Sequence, residues 1–167
     1  ALGLGGIAKG IALDRAKNAL LKRSLKNFMI VVGGQVLVSG TNDGVPWKIG
    51  IRKPGGSTND YIAILNVTDT CVSTSGDYEK YFVVDGIRYH HIIDPRTGFP
   101  ARGTRSVTVI TPDATLADAL STAMFVMGPA QAIQLVDSLQ DVEVVIIDES
   151  GTMHLSNDIA SRITSTP

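Results

Sequence analysis

The sequence is poor in cysteine, in net charge and in long apolar runs, and each shortage excludes something. Its 167 residues hold one cysteine, Cys71. An internal disulfide is therefore excluded and packing must hold the fold, while the redox compartment stays open because exported proteins also do without disulfides. Lys and Arg number 15 against 16 Asp and Glu, for a formal net charge of −1, and the basic residues are scattered along the chain. Nothing in that balance predicts nucleic-acid binding. No apolar run approaches the roughly 18 residues of a membrane-spanning helix, and no signal-like segment opens the chain. The first residue is Ala1 and not methionine, so the chain is expected to be a processed, truncated or partial form. Internal repeats, low-complexity tracts and linkers are missing too. What is present, 44% hydrophobic and 19% charged residues, suffices for one domain over residues 1–167 with a core of its own.

Hydrophobic periodicity predicts an amphipathic helix over roughly residues 5–25 with a glycine-rich entry. Strands are expected at 28–32 and 35–39, joined at Gly33 and Gly34, then at 47–52, 61–67 and 71–73, with a loop over 53–60. Asp85 and Gly86 lie between the β-rich runs 81–84 and 87–93. Such a pair marks a type I′ hairpin, because both central residues must accept positive φ. An ordered loop over 94–100, a strand at 105–111, helices over 115–127 and from Pro129 to about 139, a strand at 142–147 and a final hairpin to 155 complete the reading. The class expected is α+β, a mainly antiparallel sheet with a few packed helices.

Several residue types have chemistry to offer. Asp118 and Thr122 are four apart near the start of the second helix, which puts a carboxylate and a hydroxyl on one face. A hard cation such as magnesium takes oxygen ligands of this kind, but two are too few for a cage, and a backbone carbonyl and substrate phosphates would have to complete it. On spacing alone the commoner reading is a capping box, Thr115 with Asp118. Gly3, Gly5, Gly6 and Gly10, with Lys9 among them, precede a helix as a generic phosphate cradle does, without matching a Walker or dinucleotide pattern. Thr74, Ser75 and Gly76 offer hydroxyls and backbone donors to a phosphate or ribose, or are only a turn. His90 and His91 are neighbours in a predicted strand and so face opposite ways; His91, nearer the 94–100 loop, suits a proton acceptor or phosphate ligand. His154 has no partner in sequence.

Taken together, GLGGIAKG at 3–10, VVGG at 31–34, PWKIGIRKP at 46–54, STSGDY at 73–78, YHHIIDPRTGFP at 89–100 and ADALSTA at 117–123 resemble the ApbE family. The resemblance implies a magnesium-dependent enzyme that splits the pyrophosphate of FAD, moves FMN onto a threonine of an acceptor flavoprotein and releases AMP. Relatives that hydrolyse FAD to FMN and AMP, and a non-catalytic flavin-binding domain, are the alternatives. Carried over by position, Asp118, Thr122 and the backbone carbonyl of Gly6 become metal ligands, and His91 becomes the base for the incoming hydroxyl. Gly3, Lys9, Thr74, Ser75, Gly76, His91 and Ile93 become contacts to FAD. Two positions depart from the family pattern: an aspartate is usual at Gly3, where FAD is contacted, and an acidic residue at Gln35. Family members are longer, so the chain reads as the C-terminal portion of an ApbE-like protein, with weak or absent activity expected without the front portion. The resemblance further implies the bacterial cell envelope or periplasm, and it names neither the acceptor protein nor an oligomeric state.

Overall fold

The computed structural model describes residues 3–57 and 59–164. In chain order the elements are α1 (Ala8–Leu21), β1 (Phe28–Val32), β2 (Gln35–Ser39), β3 (Trp47–Arg52), β4 (Tyr61–Val67), β5 (Thr70–Gly76), β6 (Tyr81–Val84) and β7 (Ile87–His90). There follow β8 (Thr104–Thr111), α2 (Ala114–Met127), α3 (Pro129–Val136), β9 (Glu143–Asp148), β10 (Met153–Leu155), a short 3-10 helix (Ile159–Arg162) and β11 (Ile163–Thr164). The α+β class expected from the sequence is the class found.

An antiparallel six-stranded sheet, in the order β1-β2-β5-β8-β9-β10, divides the molecule. Side chains alternate across it because successive strand residues face opposite ways. Leu37, Cys71, Val107, Val109, Val144 and Ile146 face the helices, where they pack with Leu13, Met124 and Phe125. Val38, Val72, Ile110 and Val145 face the other way, onto Ile49, Ile51, Ala63 and Leu65 of a three-stranded sheet ordered β11-β4-β3. Burial on both faces explains why β9 reads as a nearly continuous apolar run, Val144 to Ile147. Beside these layers β6 and β7 form a separate two-stranded hairpin. Its turn is the predicted one, with Asp85 and Gly86 both at positive φ, 49° and 76°.

Several predicted boundaries shift, each for a local reason. Helix α1 starts at Ala8, after the turn that holds Gly5 and Gly6; ordering glycine costs more backbone entropy than ordering any other residue. It ends at Leu21, not near 25, as the chain reverses at Ser24 (φ 63°) and Leu25 N–H reaches back to the Leu20 carbonyl. Helix α3 stops at Val136, three residues early, where Ser138 Oγ donates to the Leu135 carbonyl at 2.7 Å. Strand β5 runs to Gly76, past the predicted Ser73, and β7 ends at His90, which leaves His91 just outside the strand. The capping box is overturned. The N-cap of α2 is Asp113, whose carboxylate accepts from Leu116 N–H at 2.8 Å, and Asp118 takes no part in it.

Helices α1 and α2 lie unusually close. A Cβ on Gly10 would come 2.3 Å from the Ala114 carbonyl oxygen and 2.6 Å from Thr115 Cα, both backbone atoms with no room to give. The two helices also cap each other. Asp14 of α1 accepts from the N–H groups of Ala114 and Thr115 at 3.1 and 2.8 Å, and Asp118 of α2 accepts from Gly10 N–H at 3.0 Å. Each carboxylate satisfies donors that a helix start leaves unpaired. Gly10→Ala is expected to lower the unfolding free energy by on the order of 1–3 kcal/mol, the usual range for overpacking, read as a fall in the urea midpoint. An unchanged midpoint would mean that the helices tolerate separation.

Candidate active site

The burial pattern of α2 has Ala114, Ala117, Asp118, Ser121, Met124 and Phe125 turned inward, one helical stripe in which the two polar members are adjacent to Thr122. Asp118 is only 2% exposed. Its Oδ2 takes the Gly10 N–H, and its Oδ1 takes Lys9 Nζ at 3.0 Å, so the buried charge is both paired and hydrogen-bonded, the condition under which burial of a carboxylate is tolerated. Thr122 Oγ1 lies 3.2 Å from Ser75 Oγ. A Cβ built on Gly6 would lie 3.7 Å from Thr122 Oγ1, so the glycine-rich start of the chain does come up against the middle of α2.

A cavity of about 560 Å³ opens here, between the start of α1, the end of β5, the segment after β7 and α2. Gly5, Gly6, Lys9, Thr74, Ser75, Gly76, His91, Ile93 and Thr122, nine of the residues singled out from sequence, line it together. Asp118 lies beneath, in contact through Lys9. Gly3 is exposed and outside the lining. Thr74 contributes to the wall, but its hydroxyl bonds Thr108 Oγ1 at 2.9 Å. Thr74, Ser75 and Gly76 are the end of strand β5 and not a turn, because they pair with Ser106 to Thr108 of β8, and the hydroxyl among them that reaches α2 is that of Ser75. Gly33, Glu79, Lys80 and Ile92 also line the cavity; Gly33 and Ile92 fall inside the quoted motifs, whereas Glu79 and Lys80, in the connection between β5 and β6, carry no sequence signal.

The two adjacent histidines face different ways, although His91 lies just past the end of β7 and not in the strand. His90 is 5% exposed, its Nε2 is 2.9 Å from the Ala101 carbonyl and its Nδ1 accepts from Ile92 N–H at 3.3 Å. A carbonyl can only accept, so the ring is neutral with its hydrogen on Nε2. Burial pushes its pKa below the ordinary 6.5. His91 is exposed and lines the cavity, with Nδ1 3.2 Å from the Lys80 carbonyl. By the same rule its hydrogen is on Nδ1 in the neutral ring, and Nε2 keeps a free lone pair. The loop behind it is rigid: Asp94 binds Arg96 in a fork at 2.8–3.2 Å and accepts the Arg96 N–H at 2.9 Å. That guanidinium holds the Asp94 carboxyl below the usual carboxylate range.

As a place for magnesium the site offers a carboxylate, a hydroxyl and a nearby glycine backbone, all hard oxygen donors. Among the described residues no cluster of three His, Cys, Asp or Glu could make a cage. The donor set therefore fits a cation that keeps waters or substrate phosphates as its remaining ligands, as magnesium does.

The ApbE family model matches residues 1–146. An FAD:protein FMN transferase of Treponema pallidum is 37% identical over 97% of this chain and 48% of its own length, and one of Vibrio cholerae is 38% identical over 86% and 44%. Among solved structures, an ApbE protein of Thermotoga maritima is 44% identical with a TM-score of 0.89, over 96% of this chain and 53% of the other. The flavin transferase ApbE of Vibrio cholerae is 32% identical with a TM-score of 0.81, over 96% and 52%. The chain spans about half the length of the curated relatives it matches.

His90 gives the fold a pH dependence. Because its folded pKa is lowered, the unfolded chain takes the proton first. The stability it contributes is complete above about pH 6.5 and is lost as pH falls through that value toward the folded pKa. The urea midpoint should decline across that window in the wild type. The decline should shrink in His90→Gln, which keeps a donor for Ala101 without titrating; an equal decline in the variant would assign it to other groups.

Proposed function

Since the chain belongs to the ApbE family, we propose that it carries the phosphoryl-transfer face of an FAD:protein FMN transferase, which moves FMN from FAD to a threonine hydroxyl of an acceptor flavoprotein and releases AMP. The observation that carries this reading is the meeting of Lys9, Ser75, His91 and Thr122 around one cavity, with Asp118 directly beneath. Phosphoryl transfer asks a protein mainly for positioning and charge neutralisation, and these residues supply both.

Asp118, Thr122 and the Gly6 backbone are the groups that would hold magnesium. When bound, the cation would neutralise pyrophosphate charge and act as a Lewis acid at phosphorus. Lys9, one carboxylate oxygen away, adds a mobile positive charge for the phosphate oxygens. Gly76 and Ser75, at the end of β5, present small groups where a diphosphate must approach closely. His91 is the base. Its Nε2 takes the proton of the acceptor threonine while that oxygen bonds to the FMN phosphorus; the bond from phosphorus to the bridging oxygen breaks, and that oxygen leaves with AMP. A threonine hydroxyl is a poor nucleophile near neutral pH, so a base within reach should raise the rate by about 10²–10⁴-fold.

The test is to incubate the protein with FAD, magnesium and a threonine-bearing acceptor peptide, then follow AMP and the mass of the peptide. Expected are AMP and a peptide heavier by FMN, formed at most weakly by this chain, which spans about half the length of its relatives. AMP with an unmodified peptide would replace transfer by hydrolysis, and neither product would sink catalysis by this chain. Asp118→Ala should abolish the magnesium dependence. His91→Gln should lower the transfer rate by about 10²-fold or more with the magnesium requirement unchanged; a rate within twofold of wild type would remove His91 as the base.

A further inference from the structure

Under the cavity runs a chain of side-chain hydrogen bonds that the transfer step does not use. Gln35 opens it at the start of β2, 1% exposed, with its carbonyl oxygen unpartnered among the described residues. Its Nε2 donates to Ser73 Oγ at 2.9 Å. Ser73 Oγ is 3.2 Å from Ser121 Oγ, Ser121 Oγ is 3.0 Å from Ser75 Oγ, and Ser75 Oγ is 3.2 Å from Thr122 Oγ1. Ser121 also donates to the Asp118 carbonyl at 3.0 Å. Ser73 and Ser121 are as buried as Gln35, at 1% and 0% exposed.

Counting hydrogens gives one pattern that uses every short contact. An amide nitrogen can only donate, so Ser73 Oγ accepts from Gln35 and turns its own hydrogen to Ser121. A backbone carbonyl can only accept, so the Ser121 hydrogen lies on Asp118, and both lone pairs of Ser121 receive, one from Ser73 and one from Ser75. The Ser75 hydrogen is thereby taken, and the remaining bond must be donated by Thr122. Thr122 Oγ1 is left with its hydrogen on Ser75 and its lone pairs available. The competing pattern would send the Thr122 hydrogen to the Asp118 carbonyl, a contact of 3.5 Å, at the outer limit of a hydrogen bond.

We propose that Gln35, Ser73 and Ser121 are positioning residues, whose buried chain holds Thr122 Oγ1 with its hydrogen turned to Ser75 and its lone pairs offered to a divalent cation. The proposal rests on the reading of Asp118 and Thr122 as metal ligands. Groups that orient a metal ligand typically change metal affinity by roughly 10–100-fold when removed, and a four-link chain belongs at the low end of that range.

The experiment is a magnesium titration of the chain followed by the rise in Tm, with Mn²⁺ binding by electron paramagnetic resonance as a second readout. Gln35→Leu and Ser121→Ala should each need roughly ten times more metal for half the response. A merely structural role would lower Tm without metal and leave the half-saturating concentration where it was. If Asp118→Ala and Thr122→Ala lose the response while either Gln35→Leu or Ser121→Ala keeps the wild-type midpoint, this inference falls alone. If the wild type shows no response, or Asp118→Ala and Thr122→Ala respond as it does, the metal reading falls and takes this inference with it.

Discussion

The close crossing of α1 and α2 at Gly10 is the constraint on which the site depends. Gly10 lets the α1 backbone rest against Ala114 and Thr115, and only at that separation can Asp14 and Asp118 reach across to the opposite helix start. The exchange is reciprocal, so neither cap exists without the other helix in place. Its consequence is a fixed register. With Gly10 pinned to Asp118, Lys9 falls on the other carboxylate oxygen and Gly6, a turn earlier, falls beside Thr122.

That register also explains why Asp118 is free for chemistry at all. A carboxylate in the first turns of a helix normally serves its own N-terminus, and here Asp113 and Asp14 already satisfy the donors of Leu116, Ala114 and Thr115. Asp118, thus relieved, faces α1 and the cavity. One of its oxygens is held by a backbone N–H, which cannot leave. The other is held by Lys9, whose side chain is 38% exposed and can move toward a phosphate without unfolding anything.

The elements that sequence reading located well were those with local causes. Asp85-Gly86 and Gly33-Gly34 fixed their hairpins because positive φ is a property of the residues themselves, and β1, β2, β3, β4 and β6 fall where alternation and turns put them. Beyond boundary shifts with local causes, the readings that failed turn on contacts between distant segments. Thr115 and Asp118 have capping-box spacing, but Thr115 Oγ1 is bound by Asp14, about a hundred residues earlier, which no local pattern contains. The 3-10 helix and β11 went unread because Ile163 and Thr164 are a strand only through pairing with Leu65 and Ile64. Of the candidate site, the grouping of Gly6, Lys9, Ser75, His91 and Thr122 was legible through motif order. Gln35, Ser73 and Ser121 were not, since a buried polar chain shows in sequence only as small polar residues in otherwise apolar elements.

The hairpin β6–β7 shows how His91 is placed by something other than the core. Two strands alone are marginal in water, and Tyr81, Phe82, Val83, Val84 and Ile87 are each about half exposed or more. Along it Phe82 stacks on Tyr89 at 5.3 Å and Arg88 lies over Tyr81 at 4.4 Å, both surface contacts. Buried groups hold it as well. Asp77, 7% exposed, pairs with Arg88 of β7 at 3.0 Å and with Arg105 of β8 at 2.8 Å, which ties the hairpin to the central sheet. His90 anchors the same point through Ala101 and an edge contact with Phe125. Lys80 and His91 leave the hairpin together at its base, joined through the Lys80 carbonyl, which accepts both the His91 N–H and Nδ1–H. The aim of the His91 ring is therefore set at the base of the hairpin, by the Lys80 carbonyl beside the buried, neutral His90.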